Sequence, residues 1–250
     1  MPSYLVTDCE FAWDEDLHEA HRAMDSSSNK HAVAVKRVVA AASFRFDVDE
    51  EGRVSIGAVN SWNEHDWGDE QAIISELFDS MRTEPQVPVL TYGGLATDVP
   101  VLLLGAMAHG LSLPPQLTDQ PGRRGPRPHL DLGLMLKGGG RTWSHLSQVC
   151  LRLGVPANLV AAKPNVQVPN CAEGWAEMSA HVELDCLLLA IAKIGWLVAQ
   201  GTDGLRFEPA VVSLIEAFLR RRPDHPCRAE LVVYSNGLMQ TIAGAYAFAA

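Results

Sequence analysis

Two carboxylates separated by one residue, Asp8 and Glu10, follow the apolar run Tyr4–Val6. A β-strand turns successive side chains to opposite faces, so a strand here places both acids on one face and Cys9 on the other. Two negative charges held so close repel each other unless a cation lies between them, and hard cations such as Mg2+ prefer carboxylate oxygens. The pair therefore indicates a divalent metal site, with two solvated acids at a strand end as the alternative.

A third carboxylate, Asp98, stands at the start of a predicted helix. It follows a short predicted strand and the pair Gly93-Gly94, and it opens the apolar segment Val99–Leu102. The carboxylate can face the strand ends, or it can cap the first turn of the helix, because aspartate is common at helix N-termini. Pro100 is compatible with both interpretations, since proline is tolerated in the first helical turn.

A fourth carboxylate, Asp185, lies inside the longest helical pattern of the chain, Glu173–Gln200. His181 precedes it by four residues, so the two side chains share one face of the helix. Asp185 also borders an apolar face, where a carboxylate is partly desolvated and needs a partner. The two residues are either part of a site or a surface histidine–aspartate pair of small energetic value.

These carboxylates, in this order and in these surroundings, resemble the motifs of the DEDD superfamily of 3'-5' exonucleases, which have the ribonuclease H-like fold. The chain looks most like the predicted prokaryotic exonucleases related to the proofreading domain of family B DNA polymerases. The resemblance runs from about residue 4 to about residue 190. The segments that carry it are Leu5–Glu10, Asp98–Leu102, His129–Leu132, Leu146–Gly154 and His181–Cys186.

The resemblance implies an α/β protein with a ribonuclease H-like mixed five-stranded sheet, helices on both faces and extra C-terminal helices. The order of the local patterns agrees, because an early β meander is followed by strands that alternate with helices. We expect a single exonuclease-like domain over residues 1–250. Residues 1–200 would form its catalytic core and residues 201–250 a helical C-terminal extension.

Hydrophobic periodicity and turn residues locate the elements. Strands are predicted at Leu5–Asp8, His31–Phe46, Val54–Val59 and Val87–Thr91. Leu130–Met135 is predicted to be either a strand running into a helix or a buried turn. Helices are predicted at Phe11–Arg22, Asp69–Arg82, Val99–His109, Thr142–Leu153, Glu173–Gln200, Pro209–Arg222 and Ala229–Ala250.

The chemistry that the resemblance implies is hydrolysis of a phosphodiester bond with two Mg2+ or Mn2+ ions. Asp8, Glu10 and Asp185 would hold the first ion, and Asp8 would also reach the second. Asp98 would act through the second ion and its waters. His181 would orient or deprotonate the attacking water.

The implied partner is the 3' end of single-stranded DNA or RNA, from which nucleoside monophosphates are released one at a time. Phe11, next to Glu10, is placed to stack on the terminal base, with ordinary packing as the alternative. The family's second motif has a tryptophan, an asparagine and a glycine upstream of its aspartate. Tyr92, Gly93 and Gly94 stand in those places and are the candidate substrate contacts.

Two departures from the family's pattern favour an alternative. The asparagine of the second motif is missing, and His181 stands where this branch has a tyrosine. Both fit a catalytically weak or inactive ribonuclease H-like module that serves in binding or as a scaffold. A third hypothesis is a small-substrate phosphodiesterase with the same metals, which fits the net charge of -10 because long polyanions would be repelled.

The composition of the 250 residues bounds the class of protein. No apolar run is long enough to cross a bilayer and no leader precedes the first strand, so we expect a cytoplasmic protein without a membrane partner. Five cysteines without a C-x-x-C pair argue against a disulfide framework and a zinc site. The net charge argues against a broad nucleic-acid-coating surface, which would normally be basic. Local positive charge remains at Arg123-Arg124, Arg127 and Arg220–Arg222, where a solvated loop and a helix end are the alternatives.

Overall fold

A computed structural model describes residues 2–24, 33–118, 128–160 and 168–249 of the chain. Within these residues, five strands form one sheet: β1 (Ser3–Trp13), β2 (Lys36–Val48), β3 (Val54–Asn63), β4 (Val89–Thr91) and β5 (His129–Asp131). The same residues form nine α-helices: α1 (Glu15–Met24), α2 (Glu64–Trp67), α3 (Glu70–Thr83), α4 (Asp98–His109), α5 (Leu132–Lys137), α6 (Leu146–Arg152), α7 (Ala172–Ala199), α8 (Phe207–Arg221) and α9 (Arg228–Ala249). No helix among them is both long enough and apolar enough to cross a membrane.

The strands lie in the order β3-β2-β1-β4-β5. The first three are antiparallel to one another, whereas β4 runs parallel to β1 and β5 runs parallel to β4. Parallel neighbours need long crossover connections, which α3 and α4 provide. This is the mixed five-stranded sheet of the ribonuclease H-like fold, so the predicted fold class is confirmed.

Helices cover both faces of the sheet, as predicted. One face packs against α7 and α8, which α6 and α9 contact in turn, and the other face packs against α3 and α4. The segment Ala40–Ala42 at the middle of β2 is completely buried between the two helical layers. Alanine has little preference for strands, but its small side chain lets helices on both faces approach the sheet closely. The local preference is therefore overridden by packing.

Three predicted element boundaries were wrong. Phe11 belongs to β1 and does not start a helix; α1 begins at Glu15, where the carboxylate of Asp14 accepts a hydrogen bond from the backbone N–H of Leu17. The second strand begins at Lys36.

The third wrong boundary is that of α6. Thr142 does not cap this helix, because the helix begins only at Leu146 with His145 at the N-cap position. The side chain of Gln148 accepts a hydrogen bond from the backbone N–H of His145 at 3.0 Å. A glutamine three residues after the cap is a known start signal for helices, and it outweighs the threonine further upstream.

The predicted basic patches have different outcomes. Arg123, Arg124 and Arg127 lie outside the described residues. Arg222, predicted to be part of a solvated helix end, instead donates from Nε to the buried carboxylate of Glu183 at 2.8 Å and from Nη2 to the carbonyl oxygen of Val59 at 2.8 Å. It therefore joins the end of α8 to α7 and to β3.

Helix α7 is the longest element, and most of its residues from Val182 onward are buried against the sheet and α8. Lys193 lies in this buried stretch, with only 3% of its surface exposed and its Nζ 4.6 Å from the ring centre of Tyr4. Burial lowers the pKa of Lys193 to about 8, because an ammonium ion loses its hydration there. The folded protein therefore releases this proton more readily than the unfolded chain.

This difference predicts a pH dependence of stability. Between pH 8 and pH 10 the unfolded chain keeps the Lys193 proton while the folded protein releases it, so the free energy of unfolding should rise with pH. Above pH 10 the buried Tyr4, whose pKa is raised by burial, acts in the opposite direction. Lys193→Met should remove the rise and add about 2 kcal/mol at pH 7. Urea unfolding at several pH values measures both effects, and a variant that keeps the wild-type slope would contradict this assignment.

Candidate metal centre

An open cleft of about 460 Å³ lies where β1, the turn after β4 and the start of α4 meet. Six of the nine predicted site residues line this cleft. Four of the six come from β1 and the start of α4, and two come from the turn after β4. The lining residues are Asp8, Cys9, Glu10, Phe11, Tyr92, Gly93, Ala96, Thr97, Asp98 and Trp143.

The alternation predicted for β1 is present. Tyr4 and Val6 lie in the core under α7 and α8, whereas Leu5 and Cys9 lie in the core under α3 and α4. Asp8 and Glu10 have the parity of Val6, and they therefore face α7. Glu10 is 6% exposed, so its carboxylate is a buried charge rather than one of two solvated acids.

Helix α7 brings two further groups to this carboxylate. Nε2 of His181 lies 3.7 Å from Oε1 of Glu10 and 3.5 Å from Oδ2 of Asp185. One ligand atom from each of the three residues falls within 4.8 Å of the other two. The helical spacing of four residues produces this contact, because it places both side chains of α7 on the face that meets β1.

Asp98 is the first residue of α4 and is 8% exposed. Thr97 occupies the N-cap position, without a side-chain hydrogen bond to the helix. The carbonyl oxygen of Gly94 accepts hydrogen bonds from the backbone N–H groups of Val99 and Thr97, at 2.8 and 3.3 Å. The start of α4 therefore does not depend on Asp98 as a capping residue. Asp98 lines the same cleft as Asp8 and Glu10.

The turn that carries Tyr92 and Asp98 is held by a buried aspartate of β5. Asp131 accepts hydrogen bonds from the backbone N–H groups of Gly93 and Leu134 through Oδ1, at 2.8 and 3.0 Å, and from that of Leu95 through Oδ2, at 3.0 Å. One carboxylate thus ties the turn to the start of α5. From the sequence, a structural role for Asp131 is the favoured interpretation, and these bonds agree with it.

Asp131→Asn tests this network. An amide oxygen can replace only one carboxylate oxygen, and the amide NH2 group then faces an N–H donor. We expect the free energy of unfolding to fall by about 1–3 kcal/mol, because one buried donor loses its acceptor. Chemical denaturation measures the loss, with Asp224→Asn on the exposed surface as the matched control. Equal stability of the two variants would contradict the network.

Aromatic side chains form the walls of the cleft. Phe11, Tyr92 and Trp143 line it, and the rings of Tyr92 and Trp143 lie edge to face with their centres 6.1 Å apart. The Nζ of Lys137 lies 5.7 Å from the Trp143 ring centre. Trp143 was predicted only as a core or rim residue. The signal that could have singled it out is its position directly after the glycine-rich segment 137–141.

The ring of Trp143 packs against two glycines, Gly93 and Gly133. A Cβ atom on Gly93 would come within 2.7 Å of Cζ2 of Trp143, and one on Gly133 within 2.6 Å of the same atom. Gly94, the third predicted substrate contact of this turn, is not among the lining residues; a Cβ atom there would meet Oγ1 of Thr91 at 2.4 Å. Both glycines that contact Trp143 are therefore required by its ring.

The donor set suits a divalent cation. Glu10, Asp185 and His181 offer two carboxylates and one imidazole within 4.8 Å of one another, and Asp8 and Asp98 line the cleft that Glu10 also lines. Oxygen-rich sets of this kind suit a hard divalent cation. The acids also affect the pKa of a neighbouring thiol, that of Cys186. Burial raises the pKa of the Cys186 thiol well above its usual value, and the nearby charges of Asp8 and Asp185 add to this rise. The neutral thiol is therefore an inert packing group.

Fold and site together define a ribonuclease H-like α/β protein with an acidic cluster at the end of its central strand. No family model and no curated protein matches the chain. The chain is similar to the solved family B DNA polymerase of the hyperthermophilic archaeon Pyrobaculum calidifontis, at 16% identity and a TM-score of 0.47, over 88% of this chain and 29% of that one. It is also similar to E. coli exonuclease I in complex with a 5cy-dA13 oligonucleotide, at 12% identity and a TM-score of 0.38, over 81% of this chain and 42% of that one.

This chain thus spans less than half the length of either of these proteins. The similarities are too low to carry a function, which has to come from the residues of this chain.

Proposed function

We propose that the protein is a metal-dependent 3'-5' exonuclease that releases nucleoside monophosphates from single-stranded nucleic acid. The observation that carries the proposal is the position of Glu10. This carboxylate belongs both to the cleft lined by Asp8 and Asp98 and to the cluster formed with His181 and Asp185. Glu10 is the carboxylate that the two groups share, and a two-metal phosphodiester hydrolase needs several carboxylates from separate elements around one point.

Each residue has a role in this proposal. Glu10, Asp185 and Asp8 would hold one ion, and Asp8 and Asp98 would serve a second. Such ions would supply activation of the attacking water and stabilisation of the charge on the leaving oxygen. His181 orients that water. The oxygen of the water bonds to the phosphorus of the terminal nucleotide, and the bond to the 3' oxygen of the preceding nucleotide breaks. The water loses one proton and the leaving 3' oxygen takes one up, so the products are a nucleoside monophosphate and a strand with a 3' hydroxyl.

The walls of the cleft support a nucleotide as substrate. Phe11, Tyr92 and Trp143 offer aromatic surface in the same cleft as the acids, and aromatic rings bind bases without regard to sequence. The size of the cleft, about 460 Å³, suits a single small ligand group rather than a duplex. The net charge of -10 agrees with contact to a few nucleotides only.

The same net charge favours the small-substrate phosphodiesterase as the second candidate. In that case dinucleotides would be cleaved and longer strands would not. A binding or scaffold module would bind neither metal nor phosphodiester in a way that depends on the four carboxylates.

One assay separates these functions. A single-stranded oligonucleotide labelled at its 5' end, as DNA and as RNA, is incubated with Mn2+ and the protein or its Asp8→Ala variant. We expect a ladder of shortened products that is absent with Asp8→Ala and unchanged with Asp203→Ala, which removes an exposed acid on the surface. Mn2+ binding is measured in parallel by calorimetry. The proposal fails if the wild-type protein gives no ladder and binds no metal.

A further inference from the structure

Beyond the cleft, the end of β1 carries two aromatic rings with a lysine between them. Phe11 and Trp13 are two residues apart on β1, and Lys36 is the first residue of β2. The Nζ of Lys36 lies 5.9 Å from the ring centre of Phe11 and 5.9 Å from that of Trp13. All three side chains are half-buried. The three residues are called the strand-end platform below.

We propose that the strand-end platform binds two successive nucleotides of a single strand, with the bases on Phe11 and Trp13 and the phosphate between them on Lys36. The inference rests on the proposed function, because Phe11 also lines the cleft that would hold the terminal nucleotide. The platform is continuous with that cleft through Phe11, so a strand whose terminal nucleotide lies in the cleft can also contact the platform. Because Phe11 is placed to stack on the terminal base, Trp13 would hold the base that precedes it.

The register of the sheet builds this platform. Glu10 pairs with Ala40, but Phe11 pairs with Val38, so β2 has one extra residue at a β-bulge. The bulge brings Lys36 opposite Trp13. Residues directly opposite on neighbouring strands point to the same face, and the lysine therefore shares the face of both rings.

The spacing of the rings selects a single strand. Side chains two residues apart on a strand are about 6.7 Å apart. Stacked bases of a duplex follow each other at about 3.4 Å, which is half that distance. Two successive bases can therefore lie on Phe11 and Trp13 only when they are unstacked from each other, as they are in an extended single strand.

The charge at the platform is available to a phosphate. No carboxylate forms an ion pair with Lys36 within the described ranges, whereas its neighbour Arg37 pairs with Glu64 at 2.5 Å. An ammonium ion 5.9 Å from a ring centre is at the outer limit of cation–π attraction, so a phosphate competes well for it. The imidazole of His18 stacks on Trp13 at 4.9 Å and fixes the plane of that ring.

Acidic residues limit the length of the platform. Glu15 and Asp16 form the exposed first turn of α1, directly after the end of β1. Their charges repel a phosphate backbone that continues past Trp13. The platform should therefore hold two nucleotides, and the affinity for oligothymidylates should rise up to about two nucleotides and change little beyond that.

The test measures binding without metal, so that it does not depend on hydrolysis. Fluorescein-labelled dT8 is titrated with protein in EDTA, and fluorescence anisotropy reports the dissociation constant. We expect Trp13→Ala to weaken binding about 10-fold, because stacking on one ring is lost, and Trp13→Tyr to restore most of the affinity. Repulsion from the metal-free carboxylates is common to all variants, so the ratio of affinities reports the platform. Trp67→Ala, which removes an exposed tryptophan of α2, is the matched control and should bind as the wild type does.

Lys36→Gln provides a second measurement that does not depend on how Trp13→Ala folds. Removing one phosphate contact should reduce the slope of log affinity against log salt by about 0.7. The platform is overturned if folded Trp13→Ala binds dT8 as the wild type does, if Lys36→Gln keeps the wild-type salt slope, or if the wild type binds no dT8. A platform that binds dT8 in a protein without Mn2+-dependent hydrolysis would instead overturn the exonuclease function alone.

Discussion

Glu10→Gln is expected to abolish metal-dependent hydrolysis, lowering kcat/KM by at least about 10³-fold. The physical reason is the position of this carboxylate at the meeting point of the two acidic groups, one shared with Asp8 and Asp98 and the other with His181 and Asp185. A neutral amide keeps the shape of the side chain but removes a negative charge and one strong oxygen ligand. Calorimetric titration with Mn2+ should show a corresponding loss of affinity.

Two further measurements make this prediction specific. Glu216→Gln removes an exposed carboxylate of α8 and should leave both hydrolysis and Mn2+ affinity unchanged. In EDTA, Glu10→Gln should melt at a higher temperature than the wild type, because repulsion among the crowded carboxylates is reduced. Full activity of Glu10→Gln would exclude the metal site as described.

Arg222→Ala should lower the free energy of unfolding by about 3 kcal/mol, the largest stability effect that we expect from a single change. The guanidinium is the partner of Glu183, whose side chain is buried and also accepts a hydrogen bond from the hydroxyl of Ser61 at 2.6 Å. Without Arg222 the carboxylate stays buried without its counter-charge. The carbonyl oxygen of Val59 loses its donor at the same time.

The effect should reach the site through α7. Glu183 lies between His181 and Asp185 in sequence but points to β3 and α8, so its ion pair fixes the rotation of the helix. Arg221→Ala, which removes the exposed neighbour, is the matched control and should change stability by less than about 0.5 kcal/mol. Urea denaturation of the two variants measures this difference in the free energy of unfolding. Equal midpoints would show that the ion pair of Arg222 and Glu183 contributes little to stability.

Much of the fold follows from patterns that are local in the sequence. Alternation along β1 predicts which face Asp8 and Glu10 share, and helical periodicity predicts that His181 and Asp185 meet one neighbour. For these two pairs the rule depends only on spacing within one element, and tertiary packing did not override it. The fold class and the helices on both faces were expected from the family resemblance and from the order of strands and helices along the chain.

What could not be predicted depends on contacts between elements. The bulge in β2 places Lys36 opposite Trp13, and no residue pattern in β2 predicts this shift of register. Arg222 belongs to a basic run that is typical of a solvated helix end, but its partner Glu183 lies 39 positions away in the chain. Trp143 could be assigned to a cleft only once the two glycines beneath it were known.

The ring of Trp143 lies directly against two glycines, Gly93 and Gly133, so the effects of substitutions at these three positions depend on one another. Alanine at Gly93 or Gly133 would collide with the indole, and a smaller side chain at position 143 removes that collision in both cases. Gly93 also has a positive φ of 73°, and a Cβ atom on Gly133 would lie 2.9 Å from the backbone nitrogen of Gly93, so a smaller side chain relieves only part of the cost. Alanine at either glycine should therefore be less harmful when position 143 carries a smaller side chain, and the effects of the paired substitutions should not be additive.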